Sequence, residues 1–156
     1  MTIRFFIPGK RKAHLDDLFN EYLKRLSPYA KVSLTYIKEE TPKSDSNKDI
    51  QAALDKEAKS ILKQLKQDEY VILIDIHAKE LSTAEFTEKL AAISLTESEI
   101  AFIIGSSNGL SDELRRRADL SISLSKLTFT HYHALLLLLE QVYRSFLIRA
   151  NKPYDK

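Results

Sequence analysis

Two stretches of this chain have almost no polar side to turn toward water. Tyr70-Val71-Ile72-Leu73-Ile74-Asp75-Ile76 and Ile100-Ala101-Phe102-Ile103-Ile104 are rich in β-branched and aromatic residues, and neither alternates apolar with polar. Strands of this kind need cover on both faces, the situation of inner strands in a parallel sheet with helices above and below. The other segments agree. Ile3 to Ile7 reads as a short strand closed by Pro8-Gly9, Val32 to Ile37 as a half-exposed strand, and Leu120 to Leu124 as a fifth strand. Between them lie helical stripes: Leu15, Leu18, Phe19, Tyr22, Leu23 and Leu26; then Ile50, Leu54, Ala58, Ile61, Leu62 and Leu65; then Phe86, Leu90 and Ile93 behind a Ser82–Glu85 capping box. A short helix with Asp112 and Glu113 in its first turn and Arg115, Arg116 and Arg117 later suits the helix dipole, and a long helix runs from about Thr130 to Ala150. The order βαβαβαβαβα predicts one α/β domain over residues 1–156 with a mostly parallel sheet.

Composition narrows the function. The chain has 156 residues, no cysteine and three glycines. A disulfide scaffold or thiolate zinc site is therefore excluded, and no window can hold a dinucleotide-binding glycine fingerprint. Gly9-Lys10 is followed by Arg11, so it does not end a Walker A loop. Asp45, Asn47 and Asp49 have the spacing of a calcium loop, but Ile50 and Lys56 stand where glycine and glutamate are needed. Ser46 or Asn47 reads instead as a helix N-cap. His131 and His133 point away from each other on a helix, so no metal is expected. No G-x-S-x-G elbow is present, which argues against a hydrolase triad. No signal peptide or membrane-length apolar run stands out, and a cytoplasmic location away from membranes is expected.

Charge is unevenly placed on a net of +2. Residues 1–31 carry seven Lys/Arg against three acids, residues 32–98 nine against thirteen, and residues 99–156 eight against six. This is either ordinary surface variation or a basic face formed by the two ends for a polyanion.

In a parallel sheet, ligands sit at the carboxyl ends of strands. Those ends here are His77-Ala78-Lys79, Gly105-Ser106-Ser107-Asn108-Gly109, and Ser125 to His131. The glycine-flanked loop either offers backbone N–H groups to an anion or polar ligand edge, or is a plain strand-to-helix turn. The long helix is apolar around most of its wheel from Ala134 to Ile148, so it is either a homodimer interface or a central core helix.

An ordered set of residues adds a family resemblance. Gly9-Lys10, Tyr22 with Lys24-Arg25, Gly105-x-Ser107-Asn108-Gly109-Leu110, Ser123 to Phe129, His131, Glu140-Gln141-x-Tyr143-Arg144 and the terminal Tyr154-x-Lys156 together resemble the RlmH family of small SPOUT-class RNA methyltransferases. The resemblance covers nearly the whole chain. It implies helices on both faces of the sheet, a C-terminal trefoil knot, a homodimer, and S-adenosylmethionine held by Ile74, Gly105, Leu124, Ser125, Lys126, Leu127, Thr128 and Phe129. It further implies methyl transfer to N3 of a pseudouridine in helix 69 of 23S ribosomal RNA in the ribosome. His131, Glu140, Arg144 and Tyr154 are the matched candidates for catalysis. Arg144 and Lys156 would contact RNA, Tyr154 the target base, and His131 would orient the substrate or receive a proton. Glu140 and Arg144 also have the spacing of an i, i+4 ion pair. The chain departs from the family's usual residues at Ala78, Ser106 and Asn151 (glycine), Thr130 (proline), Leu135 (arginine) and Asp155 (histidine). A non-catalytic RNA- or ribosome-binding protein of the same fold, or a methyltransferase for another RNA, are the competing expectations.

Overall fold

A computed structural model describes residues 1–153; Tyr154, and with it the tail, lies outside the described residues. The elements are β1 (Thr2–Pro8), α1 (Ala13–Leu26), β2 (Lys31–Ile37), α2 (Asn47–Leu62), β3 (Tyr70–Ile74), α3 (Thr83–Thr96), β4 (Glu99–Ile104), α4 (Asp112–Arg117), β5 (Leu120–Ile122) and α5 (His131–Arg149). The five strands form one sheet in the order β2-β1-β4-β3-β5, with every pairing parallel.

The two apolar runs are inner strands, and their pleat explains their composition. Ile72, Ile100, Phe102 and Ile104 face one core, together with Ile3 and Phe5 of β1. Val71, Leu73, Ala101 and Ile103 face the other, with Phe6. Successive side chains point to opposite faces, so an inner strand with helices on both sides must be apolar at every position. Phe5 and Phe102 are register partners and their rings stack at 5.2 Å. The first face is covered by α1 through Phe19 and Leu26, α3 through Phe86, Leu90 and Ile93, and α5 through Leu135, Leu138, Leu139 and Val142. The second is covered by α2 through Ala58 and Ile61 and by α4 through Leu114.

Helix α5 lies against both α1 and α3. The sheet and these two neighbours bury Leu138 completely, so the chain itself accounts for that leucine, whereas Leu137 stays 40% exposed. Three caps match local chemistry. Ser46, not Asn47, caps α2 by accepting from the Asp49 N–H; Ser82 and Glu85 form the full capping box of α3; Ser111 accepts from the Leu114 N–H.

Two strands end earlier than their apolar runs suggest. β3 stops at Ile74 and β5 at Ile122, because past that pair the β5 backbone changes partner. The Asp75 N–H still donates to the Ile122 carbonyl, the last bond of the β3–β5 ladder, but the Ser123 N–H donates to the Lys79 carbonyl, next to a bridge between Glu80 and Ser123. Likewise α2 ends at Leu62, and Leu65 packs as a loop residue against the second core. Among the described residues no helix is long and apolar enough to cross a membrane.

Candidate functional site

The carboxyl ends of β3, β4 and β5 open into one cavity of about 570 Å³. That is within the size range of sites for small organic ligands. Ile74 to His77 supply one wall, Ile104 to Leu110 a second, and Ser123 to Phe129 a third, with His131 and Ala134 of α5 at the edge.

The second wall is a closed turn. Ser106 and Gly109 exchange backbone hydrogen bonds, with Ser106 N–H to the Gly109 carbonyl at 3.2 Å and Gly109 N–H to the Ser106 carbonyl at 2.9 Å. Gly109 has φ +100°, a region that side chains disfavour. Ser107 donates from its hydroxyl to Glu39 Oε1 at 3.0 Å, and its N–H points to the same oxygen at 3.4 Å. The Ser106, Ser107 and Gly109 N–H groups are thus already engaged, and Glu39 brings a negative charge beside them. This loop is not an anion cradle. What it offers is a close backbone approach at Gly105, where a Cβ would stand 3.1 Å from both the Gly109 carbonyl oxygen and Leu110 Cγ.

The first wall carries a buried carboxylate that sequence reasoning passed over. Asp75 is 6% exposed. It accepts from the His77 N–H at 3.1 Å and forms an ion pair with Arg115 of α4. A buried carboxylate needs such compensation. The signal was present as an acid inside an apolar run, but nothing in the spacing joins it to Arg115.

The third wall is irregular. Ser123 Oγ donates to the Ser125 carbonyl at 2.9 Å, and Ser125 Oγ accepts from the Leu127 N–H at 3.0 Å. Leu127 is 72% exposed and Phe129 42%. Beyond it, His131 starts α5 with its Nε2 buried and without a hydrogen-bond partner. Burial pushes its pKa below the usual histidine value; Lys12 lowers it further and Glu39 opposes both. His131 thus brings to the cavity edge an imidazole whose burial disfavours the charged form.

Of the residues assigned to the cofactor, Ile74, Gly105, Leu124, Ser125, Leu127, Thr128 and Phe129 line this cavity; Lys126 is in the same segment but turned out of the lining. Of the residues assigned to catalysis, His131 lines it, Glu140 and Arg144 do not, and Tyr154 lies outside the described residues. Glu140 and Arg144 pair with each other at 2.8 Å on α5, about 14 and 20 Å along the helix from His131. They meet as an i, i+4 ion pair and not around this chain's cavity. Leu135, where the resemblance leads one to expect arginine, is fully buried in the first core.

The chain matches the family model described as predicted SPOUT methyltransferase over residues 1–155. It is 49% identical over 138 residues to the ribosomal RNA large subunit methyltransferase H of Caldicellulosiruptor bescii, covering 87% of each chain. It is 38% identical over 154 residues to the ribosomal RNA large subunit methyltransferase H of Pseudothermotoga lettingae, covering 99% of each. Among solved structures, a probable methylase family protein of Haemophilus influenzae superposes with TM-score 0.53 at 16% identity, over 99% of this chain and 70% of that one. A Legionella pneumophila protein described as a methyltransferase, solved in complex with the bound cofactor SAM, gives TM-score 0.52 at 14% identity, over 94% of this chain and 66% of that one. These two similarities speak for the fold.

Proposed function

The chain belongs to the SPOUT methyltransferase family, and from that premise we propose that it is an S-adenosylmethionine-dependent methyltransferase of large-subunit ribosomal RNA. The observation that carries this is the cavity at the strand ends. It is lined by seven of the eight residues that the resemblance assigns to the cofactor. Its residues suit that group: Ile74, Ile104, Leu110 and Leu124 give apolar cover, and Gly105, without a side chain, lets the Gly109 carbonyl and Leu110 close against it in the wall. When bound, S-adenosylmethionine supplies an electrophilic methyl group on a sulfonium. The chain's part is to hold the acceptor ring in line with that methyl and keep water out. The acceptor we propose is N3 of a pseudouridine in helix 69. Its proton must leave, and His131, at the cavity edge, is the residue we propose to receive it or to orient the substrate.

We further propose a homodimer, in which Leu137 of α5 is the first residue to test. We also propose a trefoil knot in which the Ser123–Thr130 segment passes the loop after β3. The hydrogen bond from the Ser123 N–H to the Lys79 carbonyl and the Glu80–Ser123 bridge support that path. Arg144 and Lys156 are proposed for RNA contacts and Tyr154 for the target base, with Glu140 paired to Arg144; the distance of Glu140 and Arg144 from His131 within one chain suits a site shared across the dimer.

The test is direct. Purified protein, ribosomes and methyl-labelled S-adenosylmethionine are incubated, and the modified nucleotide is mapped. Label at a helix 69 pseudouridine supports the reading. Label elsewhere changes the target, and titration showing no S-adenosylmethionine binding removes the enzyme. Leu137→Glu giving monomers in sedimentation supports the dimer; an unchanged dimer moves its interface elsewhere.

A further inference from the structure

The basic run Lys10-Arg11-Lys12 has no part in the cavity lining, yet the fold fastens it to the cavity's edge. Gly9, at φ +94°, ends β1 so tightly against α5 that a Cβ there would stand 3.0 Å from both His131 Nε2 and the Tyr132 hydroxyl. The Gly9 N–H donates to the Ile37 carbonyl at 2.8 Å. The Tyr132 hydroxyl donates to the Lys10 carbonyl at 2.5 Å. The loop is therefore clamped between β2 and the first turn of α5, the turn that brings His131 to the cavity.

Its charges remain available. Lys10, Arg11 and Lys12 are all exposed. Arg11 is paired with Asp16 at 2.9 Å. Lys10 and Lys12 form no ion pair among the described residues. Glu39, which acts electrostatically on His131 and Tyr132, accepts from Ser107 and forms no ion pair with either lysine. An immobile backbone carrying two unpaired lysines beside a reactive cavity fits a partner with regularly spaced negative charge.

We infer that the β1–α1 loop is the substrate-gripping lip of the site: Lys10 and Lys12 bind RNA phosphates, and the Tyr132–Lys10 hydrogen bond fixes that grip relative to His131. Tyr132 is then a positioning residue, acting through the loop and not on the reacting atoms. The inference rests on the RNA substrate proposed above, but its test is binding rather than methyl transfer.

Affinity for a large-subunit ribosomal RNA fragment containing helix 69 is measured against salt for the parent chain and three variants. Removing one lysine–phosphate pairing should flatten the slope of log affinity against log salt by roughly 0.7, so Lys10→Ala with Lys12→Ala should flatten it by about 1.4 and weaken binding about tenfold or more. S-adenosylmethionine affinity and melting temperature should not change. Lys10→Arg with Lys12→Arg should restore the slope. Tyr132→Phe keeps the charges, so it should keep the slope while slowing methyl transfer at saturating RNA about threefold. Unchanged slope and affinity in the double alanine variant overturns the lip, and an unchanged transfer rate in Tyr132→Phe overturns the clamp. If the parent chain binds RNA but transfers no methyl group, the proposed activity fails while the slopes still decide the lip. If it binds no RNA, both fail.

Discussion

The Gly105–Gly109 turn and the Ser123–Thr130 segment wall the same cavity, but they are held in different ways. The turn closes on itself through Ser106 and Gly109 and is tied by Ser107 to Glu39, far away in sequence. The Ser123–Thr130 segment is anchored to Lys79 only at Ser123; beyond that it is braced by short-range serine hydrogen bonds and leaves Leu127 and Phe129 exposed at the cavity. The turn is finished before any ligand arrives. The segment leaves apolar surface for a ligand or partner to cover, at about 25 cal/mol per Å² covered. Substitutions in the turn should therefore disturb the fold and binding together, and substitutions in the segment should separate the two.

The largest effect is expected at Gly105→Val. Its branched side chain meets the Gly109 carbonyl and Leu110, and overpacking of this kind costs about 1–3 kcal/mol. S-adenosylmethionine binding should disappear in calorimetry and the melting temperature should drop; retained binding would mean the turn is less fixed than its hydrogen bonds indicate. Next, Arg115→Ala strands the Asp75 carboxylate and should cost about 1–3 kcal/mol in denaturant unfolding, with Arg115→Lys recovering part of the loss. Leu127→Ser tests the Ser123–Thr130 segment. Stability should stay within about 0.5 kcal/mol, while cofactor affinity falls about tenfold. An equal loss of both would erase the contrast between the two walls.

The smallest effect is a pH dependence at His131, where the Ser123–Thr130 segment joins α5. Its pKa is lowered in the folded chain, so between that lowered value and the ordinary 6.5 the unfolded chain binds more protons. Its contribution to stability is intact above the ordinary value and is lost as pH falls toward the folded one. Melting temperatures measured from neutral to acidic pH should fall more steeply for the parent chain than for His131→Gln. Parallel curves would mean the imidazole is less enclosed than Gly9 makes it.

Much of the scaffold was legible because it depends on local pattern. Val71 and Ile72 differ little as residues, yet the pleat sends them to different cores, and a run apolar at every position says that both cores exist. Ser82 and Glu85 announced their helix by spacing alone, and Ser46 or Asn47 marked the start of α2. The ends of β3 and β5 were not legible, because Ser123 leaves the ladder for Lys79, a partner set by tertiary contact. The site divides similarly. Its position at the strand ends follows from the parallel sheet, and its lining from the resemblance. The Asp75–Arg115 and Glu39–Ser107 contacts join residues from different loops and helices, which no periodicity encodes. The apolar wheel of α5 pointed to cover all round; how much of it the chain supplies became clear only once α1 and α3 lay beside Leu138.

The strand order also governs how this molecule comes into being. β1 finds one neighbour soon, in β2, but its other is β4, where Thr2 pairs with Glu99. The first strand must therefore wait for about a hundred residues of chain before its second edge is satisfied, and loop closure over that length is paid before the pairing rewards it. Assembly should run on the milliseconds-to-seconds timescale of non-local topologies, with the open edge of β1 exposed to wrong partners throughout the interval.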